Sequence, residues 1–367
     1  MNAVLRDADV TRLAGMTDYV LNRMNPAANP LTEKGREYQG DSFMELLREI
    51  VQSRAGKTAL SLSKLELIRL AYQSTSDFPN LLANVANKRL RQAYEESRPT
   101  YKTWARRGAN APDFKEINVV QMSSMPDLLR TNEHGEFKYS KLTDGKEVYS
   151  LLTFGRILPF TRQAMINDDL RGFDRVISGF ARSAARLENR TVYSELTANA
   201  ALSDGVALFH ASHGNLTTGP GTAISVESLG VGRALMRLQI GLQNEELNLS
   251  PRFLIVPSAQ EQKAYQFTSA QYVPAQAADI NEFRAGGRAS LEPIVEALLD
   301  ANSTTAWYLA ADSSQIDTVE YCYLQGEEGI QSEQRFGFEI DGVEIKARLD
   351  FAAKAIDFRG LYRNDGA

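Results

Sequence analysis

The sequence is short of the residues on which most site chemistry is built. Its 367 residues include one cysteine, Cys322, and three histidines, His134, His210 and His213. A single cysteine excludes an intrachain disulfide, and fits a reducing compartment or a fold that does without such links. Zinc needs three or four ligands at suitable spacing, and His210 and His213 have no cysteine or carboxylate support that the sequence places beside them. An ordinary polar loop is therefore expected there, and no metal. No run of about 18 apolar residues occurs, which excludes a membrane-spanning helix. Residues 1–20 carry Arg6, Asp7, Asp9, Arg12 and Asp18, leaving no apolar stretch for a signal peptide, so a soluble protein made in the cytosol is expected. Excess positive charge is missing too. With a net charge of −5, the chain as a whole is not built to coat nucleic acid.

Familiar motifs are missing in the same way. Arg54-Ala55-Gly56-Lys57-Thr58 resembles the end of a phosphate-binding loop, but Val51 stands where the first glycine is needed. Without that glycine the backbone cannot wrap its N–H groups around a phosphate. No G-x-S-x-G elbow supplies a strained nucleophile. Gly219-Pro220-Gly221 and Gly286-Gly287 lack the further glycine and the strand–helix context of a dinucleotide site. Cys322, between Tyr321 and Tyr323, reads as a packed strand residue, not an activated thiolate. The expectation is no catalytic residue, no cofactor and no enzyme activity.

What is present is an ordinary globular composition, 43% hydrophobic and 24% charged, and enough length for two or three domain-sized units with a sizeable core. The first 110 residues are mostly helical in pattern. Asn25-Pro26 and Asn29-Pro30 mark a break, since a residue before proline avoids the helical region. Asp41 to Gln52 puts Phe43, Leu46, Leu47 and Ile50 on one side of a helix. Ser63 to Tyr72 opens with a capping box formed by Ser63 and Glu66, and a third helix begins near Pro79. Residues 81–110 hold seven basic side chains, Arg98, Arg106 and Arg107 among them, against Glu95 and Glu96. Arg98 to Asp113 shows neither helical nor strand period, so an extended arm is expected, one that gains order by docking on something.

Residues 114–162 change character. Short β-like runs at 117–122, 136–142, 147–153 and 155–161 are separated by turn formers, and Asp144-Gly145 is a strong hairpin signal. A hairpin this long and polar at its tip cannot bury both faces in its own subunit, and reads as a projecting loop. Asn167-Asp168-Asp169 then caps a long helix. Leu170, Phe173, Ile177, Phe180, Ala184 and Leu187 share one face, with Arg171, Arg175, Arg182, Arg186 and Arg190 roughly opposite. Run to Leu196, this helix is about 40 Å long, a structural spine. Its arginine row fits a solvated face, acidic surfaces of neighbouring copies, or DNA. Beyond residue 222 the pattern is α/β: a helix at 226–242, a strand at 253–256, a helix at 259–267, and strand candidates at 293–299 and 307–310. At the end, Phe336, Phe338 and Ile340 alternate up to Asp341-Gly342, and Val343 to Ala353 alternate after it, a half-buried antiparallel hairpin.

Two stretches resemble a known family. Ser76-Asp77-Phe78-Pro79-Asn80-Leu81-Leu82-Ala83-Asn84 with Lys88, Leu90 and Tyr94 is one. Gly155-Arg156-Ile157 with Thr161-Arg162-Gln163-Ala164-Met165-Ile166-Asn167-Asp168-Asp169-Leu170 is the other. Together they resemble the major head subunit of Mu-like tailed phages and the capsid half of fused prohead-protease/capsid proteins, over about residues 31–365. The resemblance implies an α+β tailed-phage major capsid fold of the Hong Kong ninety-seven type. It would place a helical segment and arm at 1–115, an extended loop at 116–160, and a peripheral domain at 161–222 completed by 335–367. An axial domain would take 223–334.

It further implies self-assembly into hexamers and pentamers of an icosahedral head, with portal, scaffold or protease and decoration proteins as assembly partners. DNA would be met only non-specifically, and no membrane. Intersubunit contacts are expected at Phe137, Tyr139, Leu142 and Tyr149 in the loop, at Arg98, Arg106 and Arg107 in the arm, and at Arg175, Arg182 and Arg186 on the spine. Some relatives crosslink a loop lysine to a neighbour. Lys138, Lys141 and Lys146 lie in the loop, but the carboxylate such chemistry needs cannot be read here, and crosslinking is not expected. No protease-like segment precedes the arm, and residues 1–24, which could be the remnant of a removed scaffolding segment, are expected to be retained. The competing expectations are an encapsulin-like compartment shell of the same fold and an α/β enzyme, the latter without a convergent polar site to support it.

Overall fold

The structure is a computed structural model that describes residues 2–55, 62–73, 77–122, 144–161, 170–242, 244–271, 281–337 and 342–367, with the single positions 163 and 167. The chain divides into two compact units. One comprises Met1–Arg98, Thr153–Arg186 and Glu327–Asp350; the other comprises Pro99–Leu152, Leu187–Gly326 and Phe351–Ala367.

The first unit is led by helices α1 (Asn2–Met24), α2 (Glu33–Arg36), α3 (Phe43–Ala55), α4 (Lys64–Gln73) and α5 (Asp77–Glu96). The break predicted at Asn25-Pro26 is where α1 stops. Ser63 and Glu66 form the expected capping box, the Glu66 N–H donating to Ser63 Oγ at 3.3 Å and the Ser63 N–H to Glu66 Oε2 at 3.0 Å. Ser42 and Glu45 repeat the device at the start of α3. The apolar faces of these helices are buried through Leu46, Leu47, Ile50, Leu67, Phe78, Leu81 and Val85. Phe43 meets Phe78 edge-on at 5.6 Å. Each such side chain removed from water contributes about 1.5–3 kcal/mol before entropy is counted. The spine helix α6 (Leu170–Ala198) begins in this unit. Buried Arg89 of α5 donates to Asp174 at 2.6 Å and to Ser178 at 3.2 Å on it. Of the predicted stripe, Leu170, Phe173, Ile177, Phe180 and Ala184 are buried and Leu187 is partly covered, while Arg171, Arg175, Arg182, Arg186 and Arg190 are exposed.

Strands β4 (Leu152–Thr161), β10 (Gln331–Gly337) and the first part of β11 (Gly342–Ala355) complete this unit. β10 and β11 are antiparallel with Phe336 opposite Val343 and Gly337 opposite Gly342, the hairpin expected from the sequence. Its alternation stops early. Ile345, Ala347 and Leu349 are buried with partly exposed residues between them, but Asp350, Phe351 and Ala352 are buried in succession. The Asp350 carboxylate is satisfied by the Thr153 hydroxyl at 2.5 Å.

The second unit holds an α/β body. A five-stranded sheet runs in the order β5 (Leu216–Thr217), β12 (Leu361–Asn364), β8 (Trp307–Ala311), β6 (Pro251–Val256) and β7 (Glu292–Val295). Helices α7 (Val226–Arg237) and α8 (Glu261–Thr268) belong to the same body, whose core gathers Leu229, Met236, Leu254, Val256, Trp307, Leu309 and Tyr362. β8 is buried at every position, which is why it reads in sequence as a continuous apolar run and not as an alternation. The residues read as a strand at 293–299 are β7 followed by a single 3₁₀ turn, Ala297–Leu299.

Residues 99–111 depart from the sequence reading. The sequence reads 98–113 as an extended arm that gains order by docking, and within it Tyr101 and Trp104 are fully buried. Strand β1 (Arg106–Arg107) pairs in parallel with β9 (Val319–Tyr323). The Tyr101 hydroxyl donates to buried Glu188 at 2.9 Å, where the Tyr323 hydroxyl also donates at 3.2 Å. Trp104 Nε1 donates to the Tyr193 hydroxyl at 3.1 Å. The stretch is aperiodic because its order comes from two aromatic anchors and one short strand.

Candidate assembly surface

The surface that the chain's own packing leaves uncovered is where contact with other molecules would lie. Strands β2 (Ile117–Met122) and β3 (Asp144–Tyr149) form a two-stranded antiparallel ribbon in which Ile117 faces Tyr149 and Met122 faces Asp144. Asp144-Gly145 therefore lies inside β3, opposite Met122 and Gln121, and is not the hairpin turn its composition suggested. The register carries the chain onward into residues 123–143, which lie outside the described residues.

The ribbon has two unlike faces. Tyr149 and Glu147 are buried on the inner one, with Ile117 and Val119 partly covered against Ala111, Cys322, Ala352 and Ile356. Three bonds fasten this face to its own unit. The Tyr149 hydroxyl donates to Glu320 Oε1 at 2.7 Å, Glu147 Oε1 accepts from the Ser203 N–H at 2.7 Å, and the Gln121 amide donates to the Ile356 carbonyl. Burial, and then the bond to Glu320, push the Tyr149 hydroxyl far above its ordinary pKa, so it remains a donor. The outer face, Asn118, Val120, Lys146 and Val148, is exposed, with valines 45% and 38% accessible. Val120 stands opposite Lys146 and Val148 opposite Asn118, so the two valines sit diagonally on this face.

The expected contact residues fall into three groups. Phe137, Tyr139 and Leu142, like Lys138, Lys141 and His134, lie outside the described residues. Tyr149 is taken up by its own unit, as the bond to Glu320 describes. Among the arginines, Arg106 pairs with Asp317 and stands 3.9 Å from Glu320, and the Arg107 guanidinium lies 5.7 Å over the Tyr323 ring. Arg98 is exposed, in a left-handed turn at φ 34°. Arg175, Arg182 and Arg186 project from α6 without an ion-pair partner among the described residues. The sequence reading missed Val120 and Val148 as the outward pair, although the period-two pattern of 117–122 and 144–149 carries that information. It also missed Glu147, a carboxylate at an inward position.

Among the described residues no group of three or more His, Cys, Asp or Glu could hold a metal ion. His213 is buried, with Nε2 2.9 Å from Asp204 and its ring stacked 3.7 Å from Phe358. His210 bonds Ser212, two residues on. Burial raises the pKa of the Cys322 thiol, which keeps it protonated and unreactive. No helix of the described residues is long and apolar enough to cross a membrane.

A sequence model of phage capsid proteins matches residues 145–364, more than half of the chain. No curated protein matches it. Among solved structures it is similar to a chain of Mycobacterium phage Adephagia, at 12% identity and a TM-score of 0.46 over 72% of this chain and 89% of that one. It is similar to a phage-related protein from Bordetella bronchiseptica RB50, at 9% identity and 0.48 over 77% and 96%. A virus-like particle from Pyrococcus furiosus gives 12% identity and 0.46 over 76% and 97%. Identities this low leave the assignment to the sequence match, which covers β3, the spine helix, the α/β body and the C-terminal strands. The chain belongs to the phage capsid protein family.

Proposed function

We propose that copies of this chain assemble through hexamers and pentamers into the icosahedral head of a tailed phage, enclosing double-stranded DNA, as a structural subunit without catalytic activity. The observation that carries the reading is the β2–β3 ribbon. Its inner face is fastened at three points while its outer face leaves Val120 and Val148 uncovered. Laid over an adjacent subunit, that outer face and the connection 123–143 would overlap the next copy. Each overlap can be modest, because engagement of one contact raises the effective concentration of the next. Contacts between unlike surfaces close into rings, and small changes of angle let one sequence make five- and six-fold rings.

In this reading 1–115 acts as the N-terminal segment and 116–160 as the overlapping loop. The peripheral domain is 161–222 with 335–367, and the axial domain is 223–334. Assembly takes place in the host cytoplasm with portal, scaffold or protease and decoration partners, and DNA is touched without sequence preference. The exposed α6 arginines serve as contacts to acidic neighbouring surfaces.

The test is expression of the full chain followed by size-exclusion chromatography and negative-stain microscopy. Megadalton shells are expected, against a species of roughly 41 kDa or a small oligomer for a free enzyme. Replacing residues 125–141 by a short linker should leave a folded, assembly-defective subunit. Normal shells from that variant would overturn the overlap mechanism. Shells that package a cargo protein in place of DNA in infected cells would favour the compartment alternative.

A further inference from the structure

His213 is bonded through both ring nitrogens to atoms that only accept. The side chain is buried, with Nδ1 3.2 Å from the Leu208 carbonyl oxygen and Nε2 2.9 Å from Asp204 Oδ2. A neutral imidazole carries one N–H, enough for one of these oxygens, and its other nitrogen would set a lone pair against an acceptor. Both bonds together need two N–H groups, the imidazolium form, opposite an ionised Asp204. The ring also lies flat on Phe358, with centroids 3.7 Å apart and planes 4° from parallel, which limits its rotation away from the two oxygens.

The titratable and charged groups around the ring come from three places. Asp204 comes from the loop before it, His210 stands 6.5 Å away on its own turn, and Asp357 and Arg359, paired at 3.1 Å, flank Phe358 in sequence. Burial raises the pKa of Asp357, and the charges of Arg359 and His213 oppose that rise. The segment after α7 contributes the neutral Gln239 amide, which donates to the His213 carbonyl at 2.8 Å. His213 borders an open cavity of about 480 Å³, so protons exchange between the ring and solvent.

His213 holds a loop tip, and that tip holds the ribbon. Asp204 sits in a tight turn in which the Gly205 N–H donates to the Leu202 carbonyl and the Leu202 N–H to the Val206 carbonyl, each at 2.9 Å. Asp204 Oδ1 accepts from the Val206 N–H at 2.8 Å, which leaves Oδ2 for His213. Ser203, inside the same turn, gives its N–H to Glu147 Oε1 at 2.7 Å, one of the three bonds that fasten the β2–β3 ribbon. We infer that His213 is a proton-dependent clasp on the ribbon: doubly protonated, it anchors the turn that carries Ser203, and singly protonated it lets the bond to Glu147 loosen. Both protons are present at low pH and one is lost as pH rises, so the hold on the ribbon weakens with rising pH. The clasp stands on these contacts alone; its effect on assembly rests on the shell reading above, through the ribbon as the overlapping surface.

Two measurements on the full chain test it. Nitrogen-15 NMR of histidine-labelled protein should show both ring nitrogens of His213 protonated at about pH 6, its signal being the one lost in His213→Leu. Amide exchange over 201–207 and 144–149, corrected for the intrinsic rate at each pH, should show protection falling about tenfold between about pH 6 and about pH 9. Asp204→Asn offers the neutral ring a donor where the parent has an acceptor, so its protection should stay near the parent's low-pH value and lose its pH dependence. His213→Leu should be as open at low pH as the parent is at high pH. A single protonated nitrogen at about pH 6 would put the shared proton on Asp204 and overturn the clasp. So would pH-independent protection in the parent, or a pH dependence that survives in Asp204→Asn. The expected exchange result together with equal particle yield at both pH values would uphold the clasp and count against the ribbon as the overlapping surface.

Discussion

The five-stranded sheet of the α/β body and the β2–β3 ribbon are both hydrogen-bonded strands in the same unit, but they meet water differently. In the sheet, β8 is buried at all five positions and β6 at five of six. Its side chains find all their burial inside one subunit. In the ribbon, covered and exposed residues alternate, with Glu147 and Tyr149 buried and Ile117 and Val119 partly so, so half of each strand has its packing at home and half does not. The first pattern makes a body that holds its shape; the second leaves surface free for contact with other molecules. The aperiodic segment 99–111 is a third case, irregular in backbone and partly exposed, yet anchored by the fully buried Tyr101 and Trp104.

That contrast can be broken at either end. The largest effect is expected for Trp307→Ala in β8. Its ring is fully buried against Tyr362 at 5.7 Å, and Nε1 donates to the Thr222 carbonyl at 3.1 Å. Loss of about 3–5 kcal/mol in chemical denaturation is expected, enough to leave little folded subunit. Tyr101→Phe removes one hydroxyl donor from the buried Glu188 carboxylate and should cost about 2 kcal/mol by the same measurement. An unchanged denaturation midpoint would mean that residues 99–111 are not fastened as described.

Smaller still, Val120→Ser with Val148→Ser on the outer ribbon face should change subunit stability by less than about 0.5 kcal/mol each, while shell yield falls. Equal loss of stability and yield would erase the distinction between the two kinds of strand.

The smallest effect concerns pH. The Asp312 carboxylate accepts from the Ser314 N–H at 2.9 Å, and this bond, with the Ser314 hydroxyl and Arg252, holds its pKa below the ordinary 3.8. A depressed folded-state pKa contributes stability above the unfolded value, lost as pH falls through the folded one. Asp312→Asn should therefore lower the melting temperature slightly at neutral pH and flatten the acid limb below about pH 4, so that the two profiles converge at the lowest pH.

How far this was legible in the sequence depended on whether a residue's partner was near in sequence or announced by period. The spine helix, the capping box at Ser63 and Glu66, and the hairpin of β10 and β11 are local devices, and their residues spell them out. The burial of Tyr101 and Trp104 is not local. Arg106 pairs with Glu320, more than two hundred residues away, and nothing in an aperiodic stretch points to so distant a strand. Two aromatics in a segment otherwise read as an arm were the available signal. Asp144-Gly145 failed for the opposite reason: strong turn chemistry was overridden by a register that keeps both residues in β3. At the candidate surface, the alternation of the ribbon was readable, but which of its faces had a home was set by Glu320, Ser203 and Ile356.

The placement of β12 has a consequence for timing. Residues 361–364 lie between β5 and β8, and the Ala367 carbonyl accepts from the Thr222 N–H at 2.9 Å, so the strands that flank β12 have no bond to each other until it arrives. A ribosome that has made residues 1–340 has released every strand of that sheet except the one at its seam. Until residues 361–364 follow, β5 and β8 each keep an unpaired edge on the side that β12 fills, so this sheet is the part of the body that closes last.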